Sequence, residues 1–361
     1  MTDATPAPAF AERHAAAALE RFCRNVLRAS GADEATADAA TRAMMHGSRH
    51  GVDSHGVRLL DHYVKSLAGG CVSGAPPMRF LSQTAAAATL DAADGHGALA
   101  AYRAMDKAME LAEASGIGAV AIRNSSHFGP AGAFALAAAE KGFVGLAFCN
   151  SDSLMRLHDG AERVHGTNPI AAAAPVAGGR PWLMDMATSA IPYNRVLLYG
   201  SLGLPLPPQT ASDEGGADTA DPSLAEMLAP MGGAFGFKGA ALAGLVEVFS
   251  AVLTGARLSF DIPPMAGPDM ATPRNVGAFV LALRPSAFLP QADYEAAMAR
   301  YLGVLRASRP VAGGVVMAPG DREWAEAERR EAQGIPIDPA TARAFDEMAA
   351  RFGLERPRPL D

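Results

Sequence analysis

The sequence predicts an α/β (α+β) fold in which a helical domain, built from both ends of the chain, surrounds an inserted sheet domain. Apolar residues recur at helical spacing before residue 75, and they do so again after residue 291. Between these parts, short apolar runs alternate with helical patterns, which is typical of a sheet covered by helices. With Pro76-Pro77 as a boundary, we predict a discontinuous helical domain at 1–75 and 285–361 and an α/β domain at 76–284.

Three helices are predicted before this boundary, each from apolar residues that recur at helical spacing. They cover residues 11–29, 33–48 and 59–69. Asp33 and Glu34 suit the beginning of the second helix, because an acidic side chain is favourable at the positive end of the helix dipole.

The middle and the tail of the chain supply the remaining elements, with strands predicted at 117–122, 143–149, 169–175, 181–185 and 276–283, and helices at 98–115, 129–141, 239–255, 291–308, 321–333 and 339–352. The helix at 239–255 is almost wholly apolar, which predicts a central position in the fold. Residues 205–222 are polar and rich in proline, and we predict a loop there that is too long for a mere connection.

The composition is typical of a soluble enzyme: 361 residues, 49% hydrophobic, 19% charged and a net charge of −7. This modest negative charge, without a basic block, argues against nucleic acid or an anionic membrane as partners. No apolar run reaches the ~18 residues of a membrane span, and the N-terminus lacks the regions of a signal peptide. Cys23, Cys71 and Cys149 are predicted to be reduced core thiols, so we expect a cytoplasmic protein.

The turn Asp53-Ser54-His55-Gly56-Val57-Arg58 is the candidate chemical centre. It places a hydroxyl, an imidazole and a guanidinium close together between two glycines. Histidine is the natural proton donor near neutral pH, and the adjacent hydroxyl of Ser54 could orient His55. A second imidazole, His127, stands between a predicted strand and a helix, where a side chain can face a ligand. These two histidines are therefore the candidate acid–base residues.

Two glycine-rich segments are candidates for cofactor contacts. The segment 95–100 matches the dinucleotide pattern G-x-G-x-x-A, but the next strand ends in Arg123-Asn124 and lacks the acidic residue that the ribose needs. A simple turn is therefore favoured there. In the segment 232–239, Lys238 begins an apolar helix, where a cation is unfavourable unless an anion binds. Lys238 is predicted to contact an anion or a cofactor; alternatively, it reaches to water or to a nearby carboxylate.

Further polar clusters lie at predicted strand ends, where α/β proteins collect ligand contacts. They are Asn150-Ser151-Asp152-Ser153, Gly166-Thr167-Asn168-Pro169 and Asp185-Met186-Ala187-Thr188-Ser189. Each cluster alone is more typical of a turn or a helix cap. His46 and His50 have the i, i+4 spacing of a metal pair, but chance surface placement is favoured and no metal site is predicted.

Five ordered motifs are Ser54-His55-Gly56-Val57, the segment 123–129, the segment 166–170, the segment 185–189 and Phe237-Lys238-Gly239. Together they resemble the malate/L-lactate dehydrogenase-like (type 2) family. That family includes ureidoglycolate and sulfolactate dehydrogenases, 2,3-diketogulonate reductase and the cyclic imino acid reductases. The resemblance spans roughly residues 10–353.

The resemblance implies a non-Rossmann nicotinamide-binding domain with a mixed, largely antiparallel sheet, a helical second domain and a homodimer. It also implies NAD or NADP as cofactor and a small carboxylate as substrate. By motif, His55 would donate the proton, Ser54 would orient it, and Thr167 would face the substrate; His127 would have an acid–base role or line the cofactor. The residues implied to contact the cofactor are His127, Phe128, Gly129, Ser151, Asp185, Met186, Ala187, Lys238, Gly320, Asp321 and Arg322.

Three departures from the family pattern concern the substrate side. The family usually has an arginine, which binds the substrate carboxylate, five residues after the serine of Ser-His-Gly. This chain has Leu59 there, so Arg58 or Arg49 is predicted to serve instead. A Gly-Lys pair is replaced by Tyr193-Asn194-Arg195, which makes Tyr193 and Asn194 candidate substrate contacts, and a Pro-Glu-Gly-Trp loop is replaced by Pro207-Pro208-Gln209-Thr210.

The predicted function is NAD(P)-dependent hydride transfer to or from a small 2-oxo or 2-hydroxy acid, similar to malate, lactate or ureidoglycolate. Within the same family, the alternative is a cyclic imino acid reductase that acts on piperideine- or pyrroline-2-carboxylate. Two alternatives of another class are a Schiff-base lyase that uses Lys238 and a catalytically silent binding protein of this fold. The sequence does not decide between NAD and NADP.

Overall fold

The computed structural model describes residues 12–360, apart from the side chains of Leu198, Ser201 and Leu202. Residue 11, where the first predicted helix begins, lies outside this range. The helices are α1 Ala16–Ala29, α2 Glu34–Arg49, α3 Leu60–Gly69, α4 Gly97–Ser115, α5 Gly132–Ala139, α6 Tyr193–Leu202, α7 Phe237–Glu247, α8 Gln291–Arg306, α9 Asp321–Gln333 and α10 Pro339–Phe352. Each predicted helix overlaps a helix of the structure, with ends that differ by a few residues, but the prediction of a helix from residue 11 is wrong over residues 12–14, which form a strand.

The strands are β1 Glu12–His14, β2 Arg79–Gln83, β3 Ala87–Gly95, β4 Ile117–Ser125, β5 Val144–Cys149, β6 Met155–Arg156, β7 Arg163–His165, β8 Ile170–Ala174, β9 Trp182–Met186, β10 Ala211–Ser212, β11 Met227–Leu228, β12 Val276–Leu283 and β13 Ile335–Ile337. The predicted strands are all present. The sequence analysis gave bounds only for β4, β5, β8, β9 and β12. Among the strands that it missed, β2 has five exposed residues and shows no alternation of apolar and polar positions.

A mixed sheet of seven strands, in the order β2-β3-β4-β12-β5-β8-β9, forms the centre of the fold. The strands β3 and β4 are parallel, and the other neighbouring pairs are antiparallel. The late strand β12 lies between β4 and β5, so that Val276 pairs with Ser125 and Ala278 pairs with Cys149. The ends of β4 and β5 and the beginning of β12 therefore meet at one edge of the sheet.

Two large apolar clusters organise the chain. One cluster joins the central sheet to α4 and α5, and the other joins α1, α2, α3, β13 and α10. Helix α2 contributes to both, since Ala39 and Ala43 face the first cluster while Met44 and Met45 belong to the second. These clusters agree with a helical part and a sheet part, and the domain boundaries at 75/76 and 284/285 stay a prediction. The three cysteines are buried and free, as predicted.

A small four-stranded sheet, β10-β11-β6-β7, lies beside the large one. Its strand β10 occurs within residues 205–222, where only a polar loop was predicted. Ala211 and Ser212 are both fully buried there, and they pair with Leu228 and Met227. Such a two-residue strand depends on its distant partner, so it has no pattern that the sequence could show.

The prediction that the apolar helix at 239–255 is central is wrong for the single chain. Helix α7 ends at Glu247 and continues as one π-helical segment, Val248–Val252. Its inner face buries Ala243 and Val246, but Val248 is 53% exposed and Val252 is 64% exposed. A helix that is apolar on every side does not indicate which side faces solvent.

Candidate active site

The turn at Ser54-His55 is packed against the last turn of α2 by two close approaches. A Cβ atom at Gly47 would lie 2.6 Å from the carbonyl oxygen of His55, and one at Gly56 would lie 2.3 Å from the hydroxyl of Ser48. That hydroxyl accepts a hydrogen bond from the backbone N–H of Val57 at 2.9 Å. Only glycine fits at either position, so the turn is held in one place.

A buried arginine ties the same turn to α9. The guanidinium of Arg330 donates to both carboxylate oxygens of Asp53, at 2.5 and 2.9 Å, and to the carbonyl oxygen of Ser48 at 2.7 Å. Its side chain is only 4% exposed. Such a forked, charge-assisted contact fixes orientation as well as position, so the C-terminal part of the chain positions the N-terminal turn.

Ser54 and His55 form the pair that the sequence predicted. The hydroxyl of Ser54 lies 2.9 Å from Nδ1 of His55, and the ring of His55 stacks on that of His127 with centroids 5.7 Å apart and planes inclined by 23°. Because Ser54 engages Nδ1, the other nitrogen, Nε2, is the one that a substrate can meet. The structure thus brings the two candidate acid–base histidines together.

His127 also contacts Tyr63 and His62. The hydroxyl of Tyr63 lies 3.1 Å from Nδ1 of His127, and the ring of Tyr63 stands edge-on to His96 at 4.2 Å between centroids. The ring of His62 stands edge-on to His127 at 6.3 Å. We call these five residues, His55, His62, Tyr63, His96 and His127, the histidine cluster.

Burial shifts the titration of this cluster to low pH. Loss of hydration lowers the pKa of His55 and of His62 to about 4 and that of His96 to about 3, and it lowers the pKa of His127 well below its usual value. The charge of Arg274 lowers the pKa of His62 and His127 further. Near pH 7 these imidazoles are therefore neutral and able to accept a proton.

A second group of polar residues lies where β5 and β9 end. The hydroxyl of Ser151 accepts the backbone N–H of Thr167 at 3.2 Å, and the hydroxyl of Thr188 donates to the carbonyl oxygen of Thr167 at 3.1 Å. The amide of Asn168 donates to the buried carboxylate of Glu247 at 3.0 Å. The predicted ligand contacts Ser151 and Thr167 are thus joined through hydrogen bonds to helix α7.

Asp185, the predicted cofactor contact at the end of β9, faces the first turn of α5. Its carboxylate accepts the backbone N–H of Gly132 at 2.8 Å. Burial raises the pKa of Asp185 to about 6, the hydrogen bond from Gly132 opposes the rise, and the charge of Glu323 adds to it. Met186 and Ala187 follow directly and are partly exposed. The end of β9 therefore places the carboxylate of Asp185, a hydrogen-bond acceptor, beside the N-terminus of α5.

The predicted segment 320–322 lies at the beginning of α9 and against β9. A Cβ atom at Gly320 would lie 3.0 Å from the backbone nitrogen of Leu183. Asp321 forms an ion pair with Arg306 at 2.7 Å, and Arg322 is 79% exposed. Glycine is therefore required at position 320 for the close approach of α9 to β9. The side chain of Asp321 is engaged by Arg306, and that of Arg322 points to solvent.

Lys238 is exposed at the beginning of α7, with its ammonium 5.3 Å from the ring centroid of Phe235. Within residues 12–360 it forms no salt bridge, and the first turn of α7 has neither an acidic residue nor a side-chain cap. Of the two predicted alternatives, a carboxylate partner is not found within the described part of the chain, whereas the exposed position of Lys238 is compatible with a side chain that reaches to water. A free cation beside uncapped N–H groups suits an anion.

Several predicted residues have other partners. Arg49 pairs with Glu20 at 3.3 Å and Arg58 pairs with Asp338 at 3.2 Å, and both carboxylates belong to the helical part. Phe128 is 3% exposed and packs in the core, and Gly129 lies near Tyr63. Tyr193 and Asn194 begin α6, whose buried residues Val196 and Tyr199 pack on the small sheet.

The sequence analysis missed Arg274 and three members of the histidine cluster. Arg274 is 6% exposed, and its guanidinium forms a 2.5 Å ion pair with Asp152. His62 and Tyr63 lie in the first turn of α3, shortly after Ser54-His55, and His96 stands inside a segment considered only for its glycines. The density of histidines between positions 46 and 62 was the available signal, but nothing local connects Arg274 to it.

Comparison with known proteins supports one family. The model of the malate/L-lactate dehydrogenase family matches residues 14–346. A malate dehydrogenase of Pyrococcus abyssi is 32% identical over 93% of this chain and 94% of its own length. A Δ1-pyrroline-2-carboxylate/Δ1-piperideine-2-carboxylate reductase of Pseudomonas putida is 30% identical over 91% of this chain and 95% of its own length.

Solved structures agree with these sequence matches. The malate dehydrogenase of Pyrococcus horikoshii superposes with a TM-score of 0.87 at 29% identity, covering 95% of this chain and 96% of that one. The Δ1-piperideine-2-carboxylate reductase of Pseudomonas syringae superposes with a TM-score of 0.81 at 30% identity, covering 94% of this chain and all of that one (100%). The chain therefore belongs to the malate/L-lactate dehydrogenase family.

Proposed function

We propose that this protein is a nicotinamide-dependent oxidoreductase that acts on a small 2-oxo or 2-hydroxy acid. The observation that carries the proposal is the hydrogen-bonded pair of Ser54 and His55, stacked on His127. Relatives named malate dehydrogenase and ureidoglycolate dehydrogenase (NAD(+)) support the same class of reaction.

His55 is the proposed proton carrier, and Ser54 is its positioning residue. Burial lowers the pKa of His55 to about 4, so its imidazole is neutral near pH 7, and its Nε2 is the nitrogen that can take the proton of a substrate hydroxyl. In the reverse direction the same nitrogen returns a proton to the carbonyl oxygen. The hydroxyl of Ser54 can donate to Nδ1 or accept from it, so it can follow the ring through both protonation states.

The residues of the sheet domain fit a dinucleotide cofactor, NAD or NADP. Lys238 and the uncapped N-terminus of α7 are suited to the pyrophosphate, which is anionic. A bound nicotinamide cofactor supplies or accepts the hydride of the reaction. The proposal places this cofactor on a non-Rossmann domain at 76–284, and the antiparallel neighbours in the sheet support that, since a Rossmann sheet is mostly parallel. The other proposed cofactor contacts are His127, Gly129, Ser151, Asp185, Met186, Ala187 and Gly320.

A homodimer in the cytoplasm is part of the same proposal. The outer face of α7 and the segment after it leave Leu245, Val248, Val252 and Leu253 between 43% and 64% exposed. A contiguous apolar surface of this kind is typical of a protein interface. No helix within residues 12–360 is long and apolar enough to cross a membrane.

A cyclic imino acid is the second candidate substrate. The match to imino acid reductases, at 30% identity in sequence and a TM-score of 0.81 in structure, favours it as a specific alternative. Protonation of a ring nitrogen would use the same His55. The histidine cluster is therefore compatible with either substrate, and only an assay with both decides.

The test is a thermal-shift screen of the full chain with NADH and NADPH, each crossed with a panel of 2-oxo acids and cyclic imino acids. A ligand that binds the folded state raises the melting temperature. We expect a shift with one cofactor and a further shift with an acid, followed by oxidation of the cofactor at 340 nm. Absence of a shift with both cofactors would contradict the proposal and favour the silent binding protein, whereas borohydride trapping of substrate on Lys238 would favour the lyase.

A further inference from the structure

Arg274 lies at the sheet edge where the predicted ligand contacts converge. It precedes β12, whose first residues pair with the ends of β4 and β5, and these strand ends lead directly to His127 and Ser151. Although its side chain is 6% exposed, Arg274 carries a permanent charge. A buried guanidinium at this edge requires a functional or structural reason, because burying a charge is costly unless it is well partnered.

Two hydrogen bonds fix the plane of this guanidinium. Nη2 donates to Oδ1 of Asp152 at 2.5 Å, and Nε donates to the carbonyl oxygen of Pro263 at 2.9 Å. Asp152 is itself held, since Oδ2 accepts the backbone N–H of Met265 at 3.1 Å. Nη1 makes no hydrogen bond to any residue within 12–360. The hydrogen bonds of Nη2 and Nε therefore fix the guanidinium and leave Nη1 as an oriented donor group for a ligand.

The same arginine lies close to the histidine cluster. The residues after Arg274 are tied to the strand that leads to His127: the side-chain oxygen of Asn275 accepts the backbone N–H of Asn124 at 2.8 Å, and Val276 pairs with Ser125. The charged or ionisable groups that act on His127 are three histidines and Arg274. Arg274 is thus the permanent cation beside the proposed proton carriers.

The other arginines considered for the substrate are engaged elsewhere. Arg49 and Arg58 form ion pairs with Glu20 and Asp338 in the helical part. Leu59 is 7% exposed and belongs to the helical core, so that position supplies no polar contact. Of the three arginines considered for the substrate, Arg274 is therefore the one left to pair with a carboxylate bound at the histidine cluster.

We propose that Arg274 binds the carboxylate of the substrate through Nη1 and that Asp152 is the residue that positions it. This inference rests on the proposed function, because it concerns the acid that His55 protonates or deprotonates. Asp152 already offsets the positive charge of Arg274, so Nη1 offers one hydrogen-bonding group for one carboxylate, and the histidine cluster contains no cation for a second one. The substrate class that follows is a 2-oxo or 2-hydroxy monocarboxylate rather than a dicarboxylate.

Calorimetric titration of the full chain, saturated with whichever of NADH or NADPH it binds, tests the inference. The probes are oxamate, an unreactive 2-oxo monocarboxylate analogue, and oxamide, which has an amide in place of the carboxylate. We expect Arg274→Gln to raise the Kd for oxamate by about 10- to 100-fold, as for loss of one hydrogen bond to a charged group. The Kd for oxamide should not change. Arg274→Lys should fall between, because it keeps the charge and loses the fork.

Two further variants separate binding from folding. Arg274→Gln combined with Asp152→Asn leaves no uncompensated buried charge and should still lose oxamate affinity. Arg156→Gln is the matched control, since Arg156 is also a buried arginine that contacts an aspartate, Asp218 at 3.2 Å, but belongs to the small sheet. It should leave the Kd for oxamate within about twofold of the original, well below the loss of one charged hydrogen bond.

The outcomes distinguish this inference from the proposed function. Oxamate binding that is equal in Arg274→Gln and the original chain, with cofactor binding and turnover intact, would overturn the role of Arg274 alone. Equal or better kcat/KM for 2-oxoglutarate than for pyruvate would overturn the monocarboxylate class. Failure of the original chain to bind either cofactor would overturn the proposed function, and this inference with it.

Discussion

His55 and His127, which are far apart in the sequence, stack on each other with ring centroids 5.7 Å apart. Their Nδ1 atoms are both engaged, one by the hydroxyl of Ser54 at 2.9 Å and the other by the hydroxyl of Tyr63 at 3.1 Å. Each ring therefore has Nε2 left for a ligand. Two neutral imidazoles in the same orientation are interchangeable candidates for one proton transfer, and mutation can decide between them.

Replacement of His55 by alanine should lower kcat by ~10²–10⁴ if His55 transfers the proton, because that is the usual contribution of general acid–base catalysis. Steady-state kinetics with the cofactor and acid found in the screen would measure it. His127→Ala should instead raise KM with a smaller loss of kcat. An unchanged kcat in His55→Ala would move the proton transfer to His127.

Replacement of Ser54 by alanine should lower kcat by about 2- to 10-fold, since it removes one neutral hydrogen bond that orients the ring. Ser54→Thr keeps the hydroxyl and should restore most of the activity. The pH dependence of kcat/KM should also shift in Ser54→Ala, because the hydroxyl contacts the titrating ring at 2.9 Å. Equal loss in the alanine and threonine variants would indicate a packing role instead.

The free energy of unfolding should fall as the pH falls from about 6.5, the pKa of an unperturbed histidine, to about 4, the pKa of His55 and His62 in the folded protein. The folded pKa values lie below the unfolded value of ~6.5, so the unfolded chain binds protons first and acid favours it. Urea denaturation at pH 7.5, 6 and 5 would measure the slope. In His96→Asn, residue 96 keeps an N-cap acceptor for α4 but no longer titrates. The free energy of unfolding should therefore depend less steeply on pH in this variant. A slope unchanged by this substitution would exclude His96 as a contributor.

Replacement of Lys238 by alanine should raise the KM for the cofactor by about tenfold or more, in line with the loss of a charge-assisted contact to phosphate. Its stability should change little, because the side chain is exposed and has no salt bridge within 12–360. Lys141→Ala, at an exposed lysine that pairs with Asp106, is the control. Equal cofactor KM values in the two variants would remove Lys238 from the proposed site.

Replacement of Val252 by aspartate should convert the proposed dimer to a monomer, because the side chain is 64% exposed on the apolar face of the α7 segment. Burying an unpaired charge at an interface is costly. Light scattering after gel filtration would measure the mass. Val311→Asp, at a residue that is 80% exposed elsewhere, should leave the mass unchanged. A monomeric mass for the original chain would refute the dimer.

The sequence predicted the helices well because their spacing is a local property. The bounds of α8, α9 and α10 match the predictions at 291–308, 321–333 and 339–352 within two residues. The Ser54–His55 contact was also predictable, since it joins neighbours in one turn. The exposed strand β2 and the two-residue strand β10 were not, because neither has an internal pattern.

The sequence by itself determined the class of the fold, the family and the candidate acid–base histidines. Tertiary structure alone decided which groups surround them. It stacks His127 on His55, engages Arg49 and Arg58 with carboxylates of the helical part, and brings Arg274 to the ends of β4 and β5. The physical reason is that these contacts join parts of the chain that are far apart in the sequence; Arg274, for example, precedes β12, which lies between the much earlier strands β4 and β5. Such a long-range pairing places charges together that no local spacing connects.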